Sequence, residues 1–287
     1  MSETSDRQKA STGTRTYSPS PRPNYTVPTA IHRAGVTRHL WGDEESGVVA
    51  DLIYASTEAI HALVFILPQD GAFRHSEAYR TVFGADEVLH VLSGTMVLAN
   101  PETGEVVRVP RGGSVFFGQD TWHHAFAHGG EPLHVLELLA PPPASGSTGA
   151  YARTRPYLER PVYAREDGVE GAEVESTLRV LRDEDIVWRR DIGVLSGTLA
   201  DTPRLSVQTI EVNPGQESAS HAHAGDELLY VLDGTLWVRA RHADTTYVFE
   251  LVRDDACLLP SGSEHEYRNY GDVTVKTLVG VAPNPDA

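Results

Sequence analysis

The chain has 287 residues, of which 40% are hydrophobic and 22% charged, and its formal net charge is −16. The excess of acidic residues argues against nucleic acid and anionic membranes as partners, because both are bound through Lys and Arg that neutralise phosphates. No apolar run approaches the ~18 residues that a membrane span needs, and the N-terminus does not resemble a secretion signal, so we expect a cytoplasmic protein.

The first half of the chain divides into a polar tail and a series of short apolar runs. Residues 1–28 are rich in Ser, Thr, Pro and Arg, which bury too little surface to offset their ordering entropy, so they predict a disordered tail. Residues 29–141 consist of strand-length apolar runs separated by turn residues, with no helical period over three turns. This pattern predicts an all-β sandwich or barrel. The runs are Val48–Tyr54, Ile60–Leu67, Val88–Leu92, Thr95–Ala99, Val106–Val109 and Leu133–Leu139.

A second domain follows a linker. Residues 142–172 begin with a stretch rich in Pro, Gly and Ser, which is typical of a linker. Strand-like segments then extend from Leu178 to Val281 and predict a further β-domain over residues 173–287.

The two halves are copies of one pattern. Asp86–Thr95 aligns with Asp226–Thr235 without a gap, and Gly118–His123 aligns with Pro260–His265. Such a register over two separate segments indicates a duplicated structural unit. We therefore predict two tandem barrels.

The second copy carries the clearest chemical signal. His221 and His223 are two residues apart, Glu227 follows four residues later, and His265 lies at the end of a Pro-Ser-Gly turn. Residues two apart on a strand point to the same face, so the first two histidines can reach one ion. Three imidazoles and one carboxylate suit iron(II), manganese, nickel, copper or zinc rather than magnesium or calcium. Tyr267 and Asn269 share the predicted strand face of His265.

These segments resemble the two sequence motifs of the cupin family. The match over Gly215–Gly234 is position for position, and the second motif fits at Pro260, Gly262, His265 and Asn269, with Asp254 in place of the usual glycine. The resemblance implies two small antiparallel barrels of the jelly-roll type. It also implies one divalent metal held by His221, His223, Glu227 and His265.

The first copy departs from the motif where the chemistry lies. Thr81 and Phe83 occupy the positions of the first two histidines, whereas Glu87 and His123 are retained. A carboxylate and one imidazole hold a transition ion poorly. His75 lies on a nearby loop and could supply a third ligand, so the candidate second site is His75, Glu87 and His123. The alternative is a purely structural barrel.

Several functions are compatible with such a centre. Three histidines and a glutamate leave open coordination positions for a substrate, and a small barrel admits one small ligand. The resemblance favours an iron(II) dioxygenase that acts on a small enolic, phenolic or diketone-like metabolite. A redox-silent isomerase, decarboxylase or cyclase is the alternative, and Tyr267, Asn269 and Glu217 are the candidate catalytic residues.

A third hypothesis is a non-catalytic barrel that binds a small molecule. The complete ligand quartet favours catalysis over this hypothesis. In all three cases the partner is a small molecule, and the resemblance also suggests a homodimer.

Overall fold

The structure, a computed structural model, describes residues 20–76, 79–143, 156–164 and 176–284. Residues 1–19 of the predicted tail (1–28) and most of the predicted linker (142–172) lie outside these ranges. Residues 20–28, which we assigned to the tail, instead pack on the protein: Tyr25 contacts the core, Pro28 is buried, and the Pro23 carbonyl accepts a 2.6 Å hydrogen bond from the Ser56 N–H. No helix among the described residues is long and apolar enough to cross a membrane.

Among the described residues the N-terminal half forms eleven strands, and each of the six predicted runs coincides with a strand, although Ile60 lies one residue before the start of its strand. The bounds are β1 Thr29–Ile31, β2 Thr37–Asp43, β3 Gly47–Ser56, β4 His61–Leu67, β5 Ala72–Phe73, β6 Asp86–Ser93, β7 Thr95–Asn100, β8 Glu105–Pro110, β9 Ser114–Phe117, β10 His124–His128 and β11 Leu133–Ala140.

The described part of the C-terminal half adds ten strands. They are β12 Arg179–Leu181, β13 Trp188–Asp191, β14 Val194–Asp201, β15 Ser206–Val212, β16 Asp226–Asp233, β17 Thr235–His242, β18 Thr245–Val252, β19 Ala256–Leu259, β20 Glu264–Arg268 and β21 Val275–Ala282. The helical segments among the described residues are two short 3-10 turns, Arg33–Gly35 and Asp183–Asp185.

Each half is a barrel built from a large and a small antiparallel sheet, which confirms the predicted all-β, two-barrel fold. The N-terminal barrel joins the sheet β12-β9-β6-β11-β4-β3-β2 to the sheet β5-β10-β7-β8. The C-terminal barrel joins the sheet β1-β19-β16-β21-β15-β14-β13 to the sheet β18-β17-β20.

The two barrels exchange their first strands. Thr29–Ile31 pairs with β19 of the C-terminal barrel, and Arg179–Leu181 pairs with β9 of the N-terminal barrel. The predicted boundaries at residues 29 and 173 therefore place each exchanged strand in the wrong barrel, because neighbours along the chain need not be neighbours in a sheet.

The large sheets are buried on both faces, which explains their nearly continuous apolar runs. Along β16, Leu229 and Val231 point into the C-terminal barrel, whereas Leu228 and Tyr230 join a core shared by both barrels. The same alternation along β6 and β11 fills the N-terminal barrel and the shared core. The inward-facing residues at the ends of these strands form the sites described next.

Candidate metal centre

The four predicted ligands come from three segments of the C-terminal barrel. Glu227 is the second residue of β16 and points inward, and His265 is the second residue of β20. His221 forms an isolated antiparallel bridge with His265, through backbone hydrogen bonds of 2.8 and 2.9 Å. His223 lies beyond this bridge in an irregular segment, where its carbonyl accepts a hydrogen bond from the Gly262 N–H. The predicted regular strand through both histidines is therefore wrong, although both side chains reach the site.

The ligand atoms of these four residues lie within 4.8 Å of one another. The Glu227 Oε2 atom is 3.0 Å from His265 Nε2 and 3.3 Å from His223 Nε2. Adjacent ligands about 2.1 Å from one metal ion are separated by about 3 Å, so these distances fit a shared ion.

The orientation of two imidazoles is fixed by backbone carbonyls. The Nδ1–H of His221 donates to the Ala219 carbonyl at 3.0 Å, and the Nδ1–H of His265 donates to the Ser263 carbonyl at 2.9 Å. Each bond leaves Nε2 as the unprotonated nitrogen, as in histidines that ligate metals.

One oxygen of Glu227 provides an independent test of the fit. The residue is 1% exposed, and its Oε2 atom accepts no hydrogen bond from any part of the chain that the structure describes. The His265 and His223 imidazoles are its close polar neighbours, and a buried carboxylate oxygen that accepts no hydrogen bond is costly. A cation between the carboxylate and the imidazoles would remove that cost, so the residues present fit a bound metal.

The electrostatics keep the carboxylate ionised. Burial alone would raise the pKa of Glu227, but His265 and His223 outweigh it and lower the pKa to about 2. Burial, reinforced by His265, lowers the pKa of His221 and favours its neutral form. Burial opposes the charged form of His265, but Glu227 prevails and raises the pKa of that imidazole.

The three candidate catalytic residues have different environments. Tyr267 is 1% exposed, and its hydroxyl donates to Glu227 Oε1 at 2.5 Å and lies 3.1 Å from His265 Nε2. Asn269 is buried but binds only backbone: its amide donates to the carbonyls of Val212 and Val273 and accepts from the Gly271 N–H. Glu217 is exposed and pairs with Arg268 outside the barrel. Of the three, only Tyr267 is at the centre.

A small cavity of about 50 Å³ opens beside the histidines. Its walls are mainly apolar, with Ile192, Ile210, Val279 and Val281, and its polar groups include Gln208 and Asp191. The Gln208 amide oxygen accepts from the Ser196 hydroxyl at 2.5 Å, which leaves the NH₂ group for a ligand. Sequence reasoning missed Gln208 and Asp191, since β15 and β13 carry no motif.

The candidate second site has a different third member. His75 contacts His124 and the Leu158 carbonyl rather than Glu87. Instead, Glu137 from β11 joins Glu87 and His123, with their ligand atoms within 4.8 Å of one another. The proposed role of His75 is therefore wrong. A sequence signal for Glu137 does exist, because it is the one acidic residue in the apolar strand Leu133–Ala140.

Burial shifts the titration of all three residues of this cluster, and a hydrogen bond joins its two carboxyl groups. Burial is the largest cause that raises the pKa of Glu87, and the neighbouring Glu137 adds to it. Burial also raises the pKa of Glu137. Burial lowers the pKa of His123 to about 4, so this imidazole is neutral at physiological pH.

Comparison with known families and structures agrees with this architecture. Residues 208–281 match the family model described as "Cupin domain". The comparison with curated proteins found no matching sequence.

Solved structures share the fold over most of the chain. A mutant of Bacillus subtilis oxalate decarboxylase matches with a TM-score of 0.63 and 14% identity, over 91% of this chain and 78% of that one. A formate complex of Lactobacillus farciminis oxalate decarboxylase gives 0.61 and 14%, over 91% and 87%. AerE from Microcystis aeruginosa gives 0.59 and 10%, over 86% and 97%. At such identities the likeness establishes the two-barrel fold.

Proposed function

We propose that this protein, in which residues 208–281 match the cupin domain, is a metal-dependent enzyme that converts a small oxygen-bearing substrate in its C-terminal barrel. The observation that carries the proposal is the convergence of three imidazoles on the buried carboxylate of Glu227, whose Oε2 atom accepts no hydrogen bond from the described residues, beside a cavity. When bound, a divalent metal would supply Lewis-acid chemistry, and iron(II) would also supply oxygen activation. Iron(II) is our first candidate, with Mn, Ni, Cu and Zn as alternatives.

For the reaction we propose decarboxylation of a small carboxylic acid, a redox-silent alternative suggested by the sequence. The cavity of about 50 Å³ accommodates only a few non-hydrogen atoms, and structures of the same fold include oxalate decarboxylases. The Gln208 amide can donate to a substrate oxygen. In this proposal Asp191, which lines the cavity at the exposed end of β13, takes up a proton from solvent and passes it to the carbon atom that has lost carbon dioxide.

An iron(II) dioxygenase is the second candidate. Apart from the candidate ligands and Tyr267, the described residues that line this cavity include one ionisable group, Asp191. Its Oδ1 atom already accepts a hydrogen bond from the Ile192 N–H. Chemistry that relies on the metal and oxygen rather than on a protein acid is consistent with this shortage of ionisable groups.

The metal content tests the first part of the proposal. We expect about one divalent metal per chain in the purified protein, and we expect the His223→Ala variant to lose it, because removal of a ligand weakens a transition-metal site. Elemental analysis measures both values. His128→Ala, at an exposed position on β10, is the matched control and should retain the metal. Retention of metal by His223→Ala would contradict the proposed centre.

Oxygen dependence separates the two reactions. We expect the metal-loaded protein to release carbon dioxide from oxalate or another short carboxylic acid at the same rate with and without oxygen. Gas analysis under air and under argon measures this. If turnover stops under argon and oxygen is consumed in proportion to product, the dioxygenase is correct and the decarboxylase is wrong. Binding without conversion under either atmosphere would identify a non-catalytic barrel.

A further inference from the structure

The N-terminal barrel encloses a second cavity, of about 70 Å³. Its apolar walls include Leu63, Phe65, Phe73 and Leu139. Four side chains of its polar lining are buried and can accept hydrogen bonds. These are the carboxyls of Asp51 and Glu137 and the imidazoles of His61 and His123.

One buried polar atom of the cavity lining, and one on a residue next to that lining, have no hydrogen-bond partner among the described residues. Thr81 lines the cavity, is 3% exposed, and its Oγ1 atom makes no hydrogen bond. Glu87 is 1% exposed, its Oε2 atom is likewise unpaired, and its carboxylate lies within 4.8 Å of the ligand atoms of His123 and Glu137. Unsatisfied buried groups are rare in native proteins, and each indicates a missing partner.

The surroundings of His123 disfavour a copy of the C-terminal centre. The two positions that carry histidine in the C-terminal barrel are Thr81 and Phe83 here. The imidazole of His123 lies against three phenylalanine rings, with centroid distances of 4.8 Å to Phe117, 5.7 Å to Phe73 and 6.1 Å to Phe83. The site thus combines one imidazole with the carboxyl groups of Glu87 and Glu137 and with surrounding phenylalanine rings.

We propose that the N-terminal barrel binds the primary ammonium group of a small organic molecule. An ammonium group has three N–H donors. Thr81 Oγ1 and the Glu137 carboxylate offer acceptors from the cavity lining, and the Glu87 carboxylate lies within 4.8 Å of Glu137, behind that lining. The positive charge of the ammonium group offsets the acidic cluster, and the phenylalanine rings pack against the attached alkyl chain, with cation–π attraction as a further contribution. The cavity volume limits this chain to a few carbon atoms.

The charge of the ligand is the property that separates this proposal most clearly from its alternatives. Arg22 and Arg80 also line the cavity, and both are only half-buried. The guanidinium of Arg22 donates to the Pro143 carbonyl. The lining therefore carries two half-buried guanidinium groups as well as the buried acids, and an anion of the same size is the informative competitor for the ammonium group.

Calorimetric titration of the full-length, metal-loaded protein tests the proposal, with n-butylamine as the probe and butyrate and n-butanol as matched controls. We expect one butylamine site per chain, present also in His223→Ala, and no butyrate site. Glu137→Gln should weaken butylamine binding about ten- to a hundred-fold, since it removes a charged hydrogen-bond acceptor. Thr81→Val should weaken it several-fold, and Glu131→Gln, at an exposed position, should leave it unchanged.

A second substitution at Glu137 separates loss of binding from misfolding of the Glu137→Gln variant. Val279 occupies the position of Glu137 in the C-terminal barrel, as the pairing of β11 with β6 and of β21 with β16 shows, so Glu137→Val places a residue already compatible with this strand. It should remain folded, by thermal unfolding, and lose butylamine binding. The proposal is overturned if butyrate binds in place of butylamine, if both Glu137 variants bind butylamine normally, or if the cavity takes up Mn²⁺ and excludes the amine.

Discussion

Tyr267 contacts two of the four candidate ligands without being one of them. Its hydroxyl donates to Glu227 Oε1 at 2.5 Å, while the other carboxylate oxygen faces the histidines. Burial, reinforced by Glu227, raises the pKa of the phenol, so it remains a hydrogen-bond donor at neutral pH. Hydrogen bonds of this kind hold a ligand in the orientation that the metal requires.

We expect Tyr267→Phe to weaken metal affinity about ten- to a hundred-fold while the protein remains folded, which is the usual effect of losing such a partner. Competition with a chromophoric chelator measures the affinity, and thermal unfolding confirms the fold. Tyr270→Phe is the matched control, because Tyr270 is 65% exposed and contacts Arg268 rather than the site. Equal metal affinity of the two variants would refute the orienting role of Tyr267.

The ligand quartet could be predicted from sequence because its spacing carries the signal. The roles of the neighbouring side chains could not be predicted. Strand alternation predicts which face of a strand a side chain lies on, but it does not predict the hydrogen-bond partner of that side chain. Asn269 shares the face of His265, yet its amide is taken up by the Val212 and Val273 carbonyls. Glu137 joins Glu87 only because β11 and β6 are paired across 50 residues of chain.

The exchanged strands β1 and β12 link the two halves at the scale of the element. Ile31 is 4% exposed and belongs to the core shared by the barrels, while its backbone pairs with Ala256 of β19. On the other side of the molecule, Leu181 pairs with Ser114 of β9. Each barrel thus completes its large sheet with a strand from the other half of the chain.

We expect Ile31→Ala to destabilise the C-terminal barrel by about 2–5 kcal/mol, the usual cost of truncating a buried isoleucine. Urea unfolding measures this loss. Release of the metal is the signal, because the metal is held by the C-terminal barrel. Val27→Ala, four residues earlier and 41% exposed, should change the stability by less than about 0.5 kcal/mol. Metal release at the wild-type urea concentration would show that β1 contributes little to the C-terminal barrel.

Sequence reasoning found the long strands but not this exchange. Strands such as β3, β4 and β11 are buried on both faces, so their apolar runs are unmistakable. The exchanged strands have three residues each, which is too short for a period of two to appear. Each exchanged strand pairs with the edge strand of a sheet in the other half of the chain. That edge forms only when the other sheet has folded, so no local sequence pattern predicts the pairing.

At the scale of the whole molecule, the two large sheets pack face to face across one core. Tyr54 and Tyr230 meet edge to face there, with ring centroids 5.3 Å apart, and both hydroxyls bind Asp254. Gly280 allows a close approach, because a Cβ atom at this position would lie 2.8 Å from the Leu138 side chain. Most of this core's members would be exposed if either barrel stood alone, so the barrels depend on each other for burial.

This shared core predicts that the two barrels unfold together. Tyr54→Ala removes a fully buried ring and its hydrogen bond to the Asp254 carbonyl, and we expect a loss of about 3–5 kcal/mol. Although Tyr54 lies in the N-terminal barrel, the urea midpoint of metal release from the C-terminal barrel should fall as far as the midpoint of tryptophan fluorescence, measured in a background in which Trp188 and Trp237 of the C-terminal barrel are replaced by phenylalanine. Trp122 is buried in the N-terminal barrel and reports on it. If only the fluorescence midpoint moves, the barrels are independent folding units and the shared core does not couple them.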